Sequence, residues 1–135
     1  MEKSQLRFSV EPSMTDVDLV SARVSEIVRK ASDNDKGFRA GLVVIEACTN
    51  IVKHGSLKAG DKIEIEVNLG NEHGDVVIAI IDSSTQFSPL DANDPNLGNL
   101  DVMQKGGMGI YLIKRFSKDI SYRYVDGRNI LTVTV

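Results

Sequence analysis

The sequence contains few of the residues that build covalent cross-links and metal centres. Cys48 is the single cysteine, so it cannot form a disulfide within the chain, and two histidines are too few for the common zinc spacings. A net charge of -3 and a pI near 5.3 offer no general attraction to nucleic acids or acidic membranes. No apolar run approaches the roughly 18 residues of a membrane span. The N-terminal letters MEKSQLRFSV also lack the apolar stretch of a signal peptide. We therefore expect a cytoplasmic protein that contacts neither nucleic acid nor membrane directly.

What the sequence does contain is typical of a soluble globular domain. Hydrophobic residues make up 41% of the chain and charged residues 26%, which excludes disordered and fibrous classes. A chain of 135 residues can bury one real core but is too short for two. We therefore expect residues 1–135 to form a single domain.

Hydrophobic periodicity predicts three helices and five strands in the order β-α-α-β-β-loop-α-β-β. Thr15 or Asp16 is expected to cap the first helix, and Gly55 to end the second as a left-handed cap. The predicted elements are a strand over 5–10, a helix to 31, a helix over 36–54, a hairpin over 62–82, a helix after the GGMG of 106–109, and a hairpin over 120–135.

These elements predict an α/β (α+β) fold, a two-layer sandwich with a mixed, mostly antiparallel sheet and helices on one face. Residues 83–105 contain two prolines, several Asp and Asn residues and little periodicity. A loop of that length inside a compact domain is usually a functional lid or a mobile segment.

The second helix carries the segment EACTNIVKHG, residues 46–55, which combines an apolar face with a polar stripe. Glu46 and Asn50 differ by roughly 40° around the helix, so both point the same way. The stripe is compatible with an ordinary solvated face. A carboxylate can also accept a proton from a hydroxyl while an amide oxygen beside it binds Mg²⁺. On their own, His54 is more typical of a helix-end residue and Cys48 of a core residue.

Two further segments carry residues suited to binding an anion or a base. In KGGMGIYLIKRF, residues 105–116, three glycines precede an amphipathic helix whose first amides can face an anion. The segment matches neither a P-loop nor a dinucleotide fingerprint. In IAIIDSSTQF, residues 78–87, Asp82 ends an apolar strand, where it either begins a turn or accepts a hydrogen bond from an exocyclic amine.

In this order, the three segments resemble the GHKL ATPase superfamily of the Bergerat fold. Within it they are similar to small bacterial anti-sigma factors with serine-kinase activity, of the RsbW and SpoIIAB type. EACTNIVKHG resembles the N box of that family, DSSTQF its first glycine box and GGMGIYLIKRF its second. The resemblance extends over nearly the whole chain.

The resemblance implies that Glu46 is the general base and Asn50 the Mg²⁺ ligand. It further implies an ATP lid over residues 88–105, an adenine contact from Asp82, and transfer of the γ-phosphate to a serine of a STAS-type anti-anti-sigma protein. Binding of a sigma factor and a homodimer are also expected. The residues expected to bind the nucleotide are Asn50, Lys53, His54, Asp82, Ser84, Phe87, Gly106, Gly107, Met108 and Gly109.

The sequence departs from the family pattern at two places. Ser84 stands where the first glycine box has its glycine, and Gly127-Arg128-Asn129 replaces a Gly-Thr pair, so no adenine contact is assigned there. Ser84 keeps open a second reading, a partner-binding module of the same fold with weakened or lost ATP binding. A fragment of a sensor histidine kinase is disfavoured, because no helical pair with an acceptor histidine precedes the domain.

Overall fold

The computed structural model describes residues 4–70, 74–91 and 108–135. The predicted order of elements is confirmed within these ranges. The strands are β1 (Ser4–Val10), β2 (Ile63–Leu69), β3 (Val77–Asp82), β4 (Asp119–Val125) and β5 (Arg128–Thr134). The α-helices are α1 (Met14–Ala31), α2 (Asn34–His54) and α3 (Met108–Phe116), and a short 3-10 helix spans Pro89–Asp91.

The five strands form one sheet in the order β1-β2-β3-β5-β4. All four strand pairs within the described ranges are antiparallel, so the expected mixed sheet has no parallel pair there. The prediction of an α+β sandwich with a mostly antiparallel sheet and helices on one face is confirmed.

The alternation in β2 decides which face of the sheet is covered. Ile63, Ile65 and Val67 are buried in the core with the apolar faces of α1 and α2. The residues between them point the other way, where Glu64 and Glu66 pair with side chains of β1. The period-two pattern therefore divides the sheet into a helix-covered face and a polar face.

The helix boundaries correct several predicted caps. Ser13 caps α1, since its hydroxyl accepts a hydrogen bond from the Asp16 amide at 3.3 Å; neither Thr15 nor Asp16 does so. Asp33 caps α2 by accepting from the Lys36 amide at 2.8 Å, which starts that helix two residues earlier than expected. A side-chain oxygen that satisfies a first-turn amide fixes where a helix begins.

The ends of the other helices also differ from the predictions. Gly55 has φ -74° and ψ 157°, which is extended backbone, so the prediction of a left-handed cap is wrong. Helix α3 begins at Met108, inside the glycine segment and not after it. Of the helices in the described ranges, none combines the length and hydropathy that crossing a bilayer requires.

Helices α1 and α2 pack closely because α2 presents glycines at their contact. A Cβ on Gly37 would lie 2.8 Å from both the Ser25 carbonyl oxygen and the Arg29 Cβ. The hydroxyls of Ser21 and Ser25 donate to the carbonyls of Gly41 and Gly37, each at 2.8 Å. The contact is tight, and its hydroxyls are satisfied.

Candidate functional site

A pocket of about 440 Å³ opens between the C-terminal half of α2 and the strands β3 and β5. It brings together five of the residues expected to bind a nucleotide, namely Asn50, His54, Asp82, Ser84 and Phe87. Much of the remaining wall is apolar, which suits a flat ring system. The other lining residues are Ala47, Ile51, Gly55, Ser56, Ile80, Thr85, Gln86, Pro89, Ile110, Tyr122, Asn129 and Leu131.

Glu46 lies one helical turn before Asn50 and does not line this pocket. It faces the start of α3, where a Cβ on Gly109 would lie 2.7 Å from Glu46 Oε2. Partial burial raises the pKa of the Glu46 carboxyl, and the positive charge of Lys53 opposes that rise. Lys53 itself is exposed and also lies outside the pocket lining. The structure thus brings Glu46 to Gly109, two residues that the sequence placed in different motifs.

Asp82 is the buried acid of the pocket, with 7% of its surface exposed. Its Oδ1 accepts hydrogen bonds from the Ser84 amide at 2.9 Å and from Asn129 Nδ2 at 3.2 Å. Within the described ranges no residue donates to Oδ2, so that oxygen can accept a hydrogen bond from a ligand.

Cys48 lies in the core beside this acid. Burial, and secondly the charge of Asp82, raises the pKa of the Cys48 thiol to about 12. The thiol is therefore protonated at neutral pH and a poor nucleophile, as expected for a core cysteine.

Ser84, at the position of the family's glycine, causes no backbone strain. Asp126 is the sole non-glycine with a positive φ among residues 4–70, 74–91 and 108–135, so Ser84 does not need the conformational freedom of glycine. Its hydroxyl is buried, has no hydrogen-bond partner, and faces Gly55, where a Cβ would lie 2.7 Å from Ser84 Oγ. The serine is accommodated because its neighbour on α2 lacks a side chain.

Sequence reasoning missed two groups of residues at this site. Asn129, to which no contact was assigned, lines the pocket and is buried on β5 in alternation with Leu131 and Val133. That alternation is the signal that could have found it, since a polar residue on the core face of a strand needs polar partners. Ser56 Oγ also accepts from the Thr85 amide at 2.8 Å and bonds the Thr85 hydroxyl, which ties the ends of α2 and β3 together.

Several predicted residues lie outside what the structure describes. The undescribed range includes Gly106, Gly107 and residues 92–105 of the expected lid. The backbone of Met108 is described, but its side chain is not. Among the residues that are described, no group of three or more His, Cys, Asp or Glu side chains could hold a metal ion. Asn50 supplies one oxygen in the pocket, which fits Mg²⁺ held mainly by phosphates and water.

Comparison with known proteins identifies the family of this chain. A family model described as "Histidine kinase-like ATPase domain" matches residues 10–135. The chain belongs to this family. Its sequence is 35% identical over 98 residues to the serine/threonine-protein kinase BtrW of Bordetella bronchiseptica. The alignment covers 72% of this chain and 68% of BtrW. The chain is 29% identical to the serine-protein kinase RsbW of Bacillus mycoides, with 67% of the chain and 58% of that protein covered.

Solved structures show the same ATPase-domain fold. The RsbU and RsbW domains of a Mycobacterium tuberculosis protein align with a TM-score of 0.69 at 15% identity, covering 97% of this chain and 32% of that one. The histidine kinase domain of a blue-light activated kinase from Erythrobacter litoralis aligns with a TM-score of 0.57 at 11% identity, covering 88% and 60%. The family model and the named relatives confirm the resemblance to RsbW-type kinases of the GHKL superfamily.

Proposed function

We propose that this chain is an ATP-dependent protein serine kinase of the partner-switching type, which phosphorylates a serine of a STAS-type anti-anti-sigma protein. The observation that carries the proposal is the convergence of Asn50, His54 and Asp82 on one pocket, with Glu46 one helical turn away. The names of the BtrW and RsbW relatives support the same activity.

The base of ATP would occupy the apolar end of the pocket. Asp82 Oδ2 is an acceptor without a donor among the described residues, and the exocyclic amine of adenine is a donor. The apolar side chains of Ile51, Ile80 and Leu131 offer contact area to the ring. A carbonyl in place of the amine would leave Asp82 facing another acceptor, so this end favours adenine over guanine.

The phosphates would extend along α2 towards Asn50 and His54. Mg²⁺ bound to them supplies charge neutralisation and alignment of the γ-phosphoryl group. The Asn50 amide oxygen is the protein ligand that we assign to it. The start of α3 lies beside Glu46, which suits a γ-phosphate held at that end.

Glu46 would then act as the general base. The substrate serine Oγ forms a bond to the γ-phosphorus while the bond from that phosphorus to the β,γ-bridging oxygen breaks, and ADP leaves. The hydroxyl proton passes to the Glu46 carboxylate. Burial raises the pKa of Glu46, which makes it a stronger base than an exposed glutamate.

The wider regulatory role is part of the same proposal. Resemblance to RsbW-type proteins supports a cytoplasmic single-domain homodimer that binds a sigma factor when its STAS-type antagonist is phosphorylated.

Two measurements test the proposal. Calorimetry with ATP and Mg²⁺ should detect binding, and radiolabelled ATP should label a STAS-type protein from the same organism. Glu46→Gln should reduce labelling by at least about 100-fold, since general bases contribute on that scale, while ATP affinity stays within about threefold. Glu26→Gln, on the exposed side of α1, is the control and should label normally.

Two results would contradict the kinase. Undiminished labelling by Glu46→Gln would remove Glu46 as the base. Undetectable ATP binding by the unmodified protein would favour the partner-binding module, for which Ser84 at the glycine position is the motivating residue.

A further inference from the structure

Asn129 makes more hydrogen bonds at the pocket than any predicted site residue within the described ranges. Its Nδ2 lies 3.2 Å from Asp82 Oδ1, 3.1 Å from the Ser84 carbonyl oxygen and 3.2 Å from the Thr85 carbonyl oxygen. Its Oδ1 accepts from the Phe87 amide at 3.0 Å and from the Tyr122 hydroxyl. With 6% of its surface exposed, this side chain is a buried junction between β3, β4, β5 and the segment after β3.

The network settles which way the Asn129 amide points. Three acceptors face one end of the amide, and the Phe87 N–H donor faces the other. A flipped amide would set its oxygen against a carboxylate and two carbonyls, and its NH₂ against an N–H. The NH₂ group therefore faces Asp82.

We propose that Asn129 is the positioning residue of the base end of the pocket, and that it acts on the ligand through Asp82 and the backbone of residues 84–87. This inference rests on the proposed ATP site and extends it to a residue outside the matched motifs. By donating to Oδ1, Asn129 orients the carboxylate so that Oδ2 stays available to the ligand. By accepting from the Phe87 amide, it also holds the wall that follows Ser84.

The sheet register explains why the Asn129 side chain can reach Asp82. Asn129 is paired with Asp82 across the antiparallel β3-β5 ladder and with Tyr124 across β4-β5. Directly opposed residues on one face of a sheet have their Cβ atoms about 5 Å apart, close enough for short polar side chains to meet. The acid and its amide partner are thus held by the rigid sheet, and the segment over 84–87 is attached to them.

Asn129→Asp is the most informative variant because it keeps the side-chain shape and replaces the NH₂ donor by an oxygen. An ionised Asp at 129 would face the Asp82 carboxylate and two carbonyl oxygens, and would repel the carboxylate it should orient. Two adjacent carboxyl groups bind a shared proton as the pH falls, and the protonated form regains one donor.

Other groups near this pair have to be considered in a pH series. Asp82 comes from β3, Tyr122 from β4, and His54 and Cys48 from α2. The thiol stays protonated over the working range, because burial and Asp82 raise its pKa to about 12. The variant is compared with the unmodified protein at each pH, so that any contribution common to both proteins cancels.

The experiment measures ATP affinity by calorimetry at about pH 8 and about pH 5.5. We expect Asn129→Asp to bind at least about tenfold more weakly than the unmodified protein at the higher pH, and within about threefold at the lower. The matched control is Asn68→Asp on β2, outside the pocket lining, whose affinity ratio should stay near one at both values.

Two affinity results would overturn the inference. An unchanged affinity of Asn129→Asp at about pH 8 would show that Asp82 needs no donor from this residue. A loss of equal size at both pH values would indicate a purely structural role.

If the unmodified protein fails to bind ATP, that result contradicts the proposed function and leaves the positioning role of Asn129 to be tested by amide hydrogen exchange. In Asn129→Leu, the Phe87 amide should exchange at least about tenfold faster. The Val135 amide, which donates to the Val76 carbonyl at 2.9 Å, should be unchanged. Unchanged exchange at Phe87 would overturn the positioning role in either case.

Discussion

Glycines have different structural roles at the two ends of α2. At the N-terminal end, Gly37 and Gly41 let α1 approach closely, and nearby serine hydroxyls donate to their carbonyls. At the C-terminal end, Gly55 leaves room for the Ser84 side chain, whose hydroxyl is buried without a partner. One end is a satisfied packing contact, and the other is the wall of a pocket.

The two ends differ in whether their buried polar groups are hydrogen-bonded. Buried polar groups in native proteins are nearly always hydrogen-bonded, and exceptions often coincide with functional sites. In the ranges that the structure describes, Ser84 Oγ is the single buried side-chain N or O atom without a partner, and it lies at the pocket end of α2. We therefore expect an added side chain at either end to destabilise the fold, and removal of the unpaired Ser84 hydroxyl to stabilise it.

Gly37→Val should have the largest effect on folding. The first added atom would lie 2.8 Å from the Ser25 carbonyl oxygen and 3.0 Å from the Arg29 Cα, and backbone atoms cannot move aside cheaply. We expect a loss of about 3 kcal/mol in the free energy of unfolding, measured by urea denaturation. Ala22→Val, on the exposed side of α1, controls for the helix propensity of valine. Equal losses in both variants would mean that the helix contact tolerates a side chain.

Gly55→Ala should cost less, about 2 kcal/mol, because alanine adds a single carbon whereas Gly37→Val adds a branched side chain. A Cβ there would lie 2.4 Å from the Ile51 carbonyl oxygen and 2.7 Å from Ser84 Oγ. In a Ser84→Ala background, we expect the cost of Gly55→Ala to fall by about 0.5–1 kcal/mol, since only the carbonyl clash remains. Additive losses in this double-mutant cycle would show that the two residues do not touch.

Ser84→Ala should reverse the sign and stabilise the fold by about 1 kcal/mol. The variant removes a buried hydroxyl that has no hydrogen-bond partner, and an unsatisfied polar group costs more than the small cavity that replaces it. Urea denaturation measures the change, with Ser83→Ala as the exposed neighbour that should stay within about 0.5 kcal/mol of the unmodified protein. Destabilisation by Ser84→Ala would mean that the hydroxyl is satisfied in solution.

The fold was predictable from sequence because its elements carry clear periods. The alternation of KIEIEVNL predicts a half-buried strand, and β2 buries Ile63, Ile65 and Val67 as that pattern requires. The helix ends were less predictable, since Ser13, Thr15 and Asp16 are all good caps and local backbone geometry decides among them.

The site was predictable only where its residues belong to contiguous motifs. Asn50, His54 and Asp82 were found in this way and do line one pocket, and their individual roles stay predictions. Asn129 and the Ser84–Gly55 contact were missed because they depend on strand pairing and on the approach of α2 to the segment after β3. Such contacts join positions far apart in the chain, and no local pattern encodes them.

The smallest effect should come from Glu46→Gln, and it should depend on pH. Burial raises the pKa of Glu46 in the folded protein, so folding favours its protonated form. The stability that Glu46 contributes is present below the carboxyl pKa of the unfolded chain and is lost as the pH rises through the higher folded value. Glu46→Gln should therefore match the stability of the unmodified protein at about pH 4 and be slightly more stable at about pH 8.

The control variant Glu26→Gln should show the opposite change in stability with pH. A hydrogen bond from Arg29 lowers the pKa of Glu26, so any stability that this variant loses should be lost at the higher pH. Thermal unfolding of the unmodified protein and the two variants at both pH values measures the difference. If Glu46→Gln were less stable than the unmodified protein at about pH 8, the charge of Lys53 would outweigh burial at Glu46.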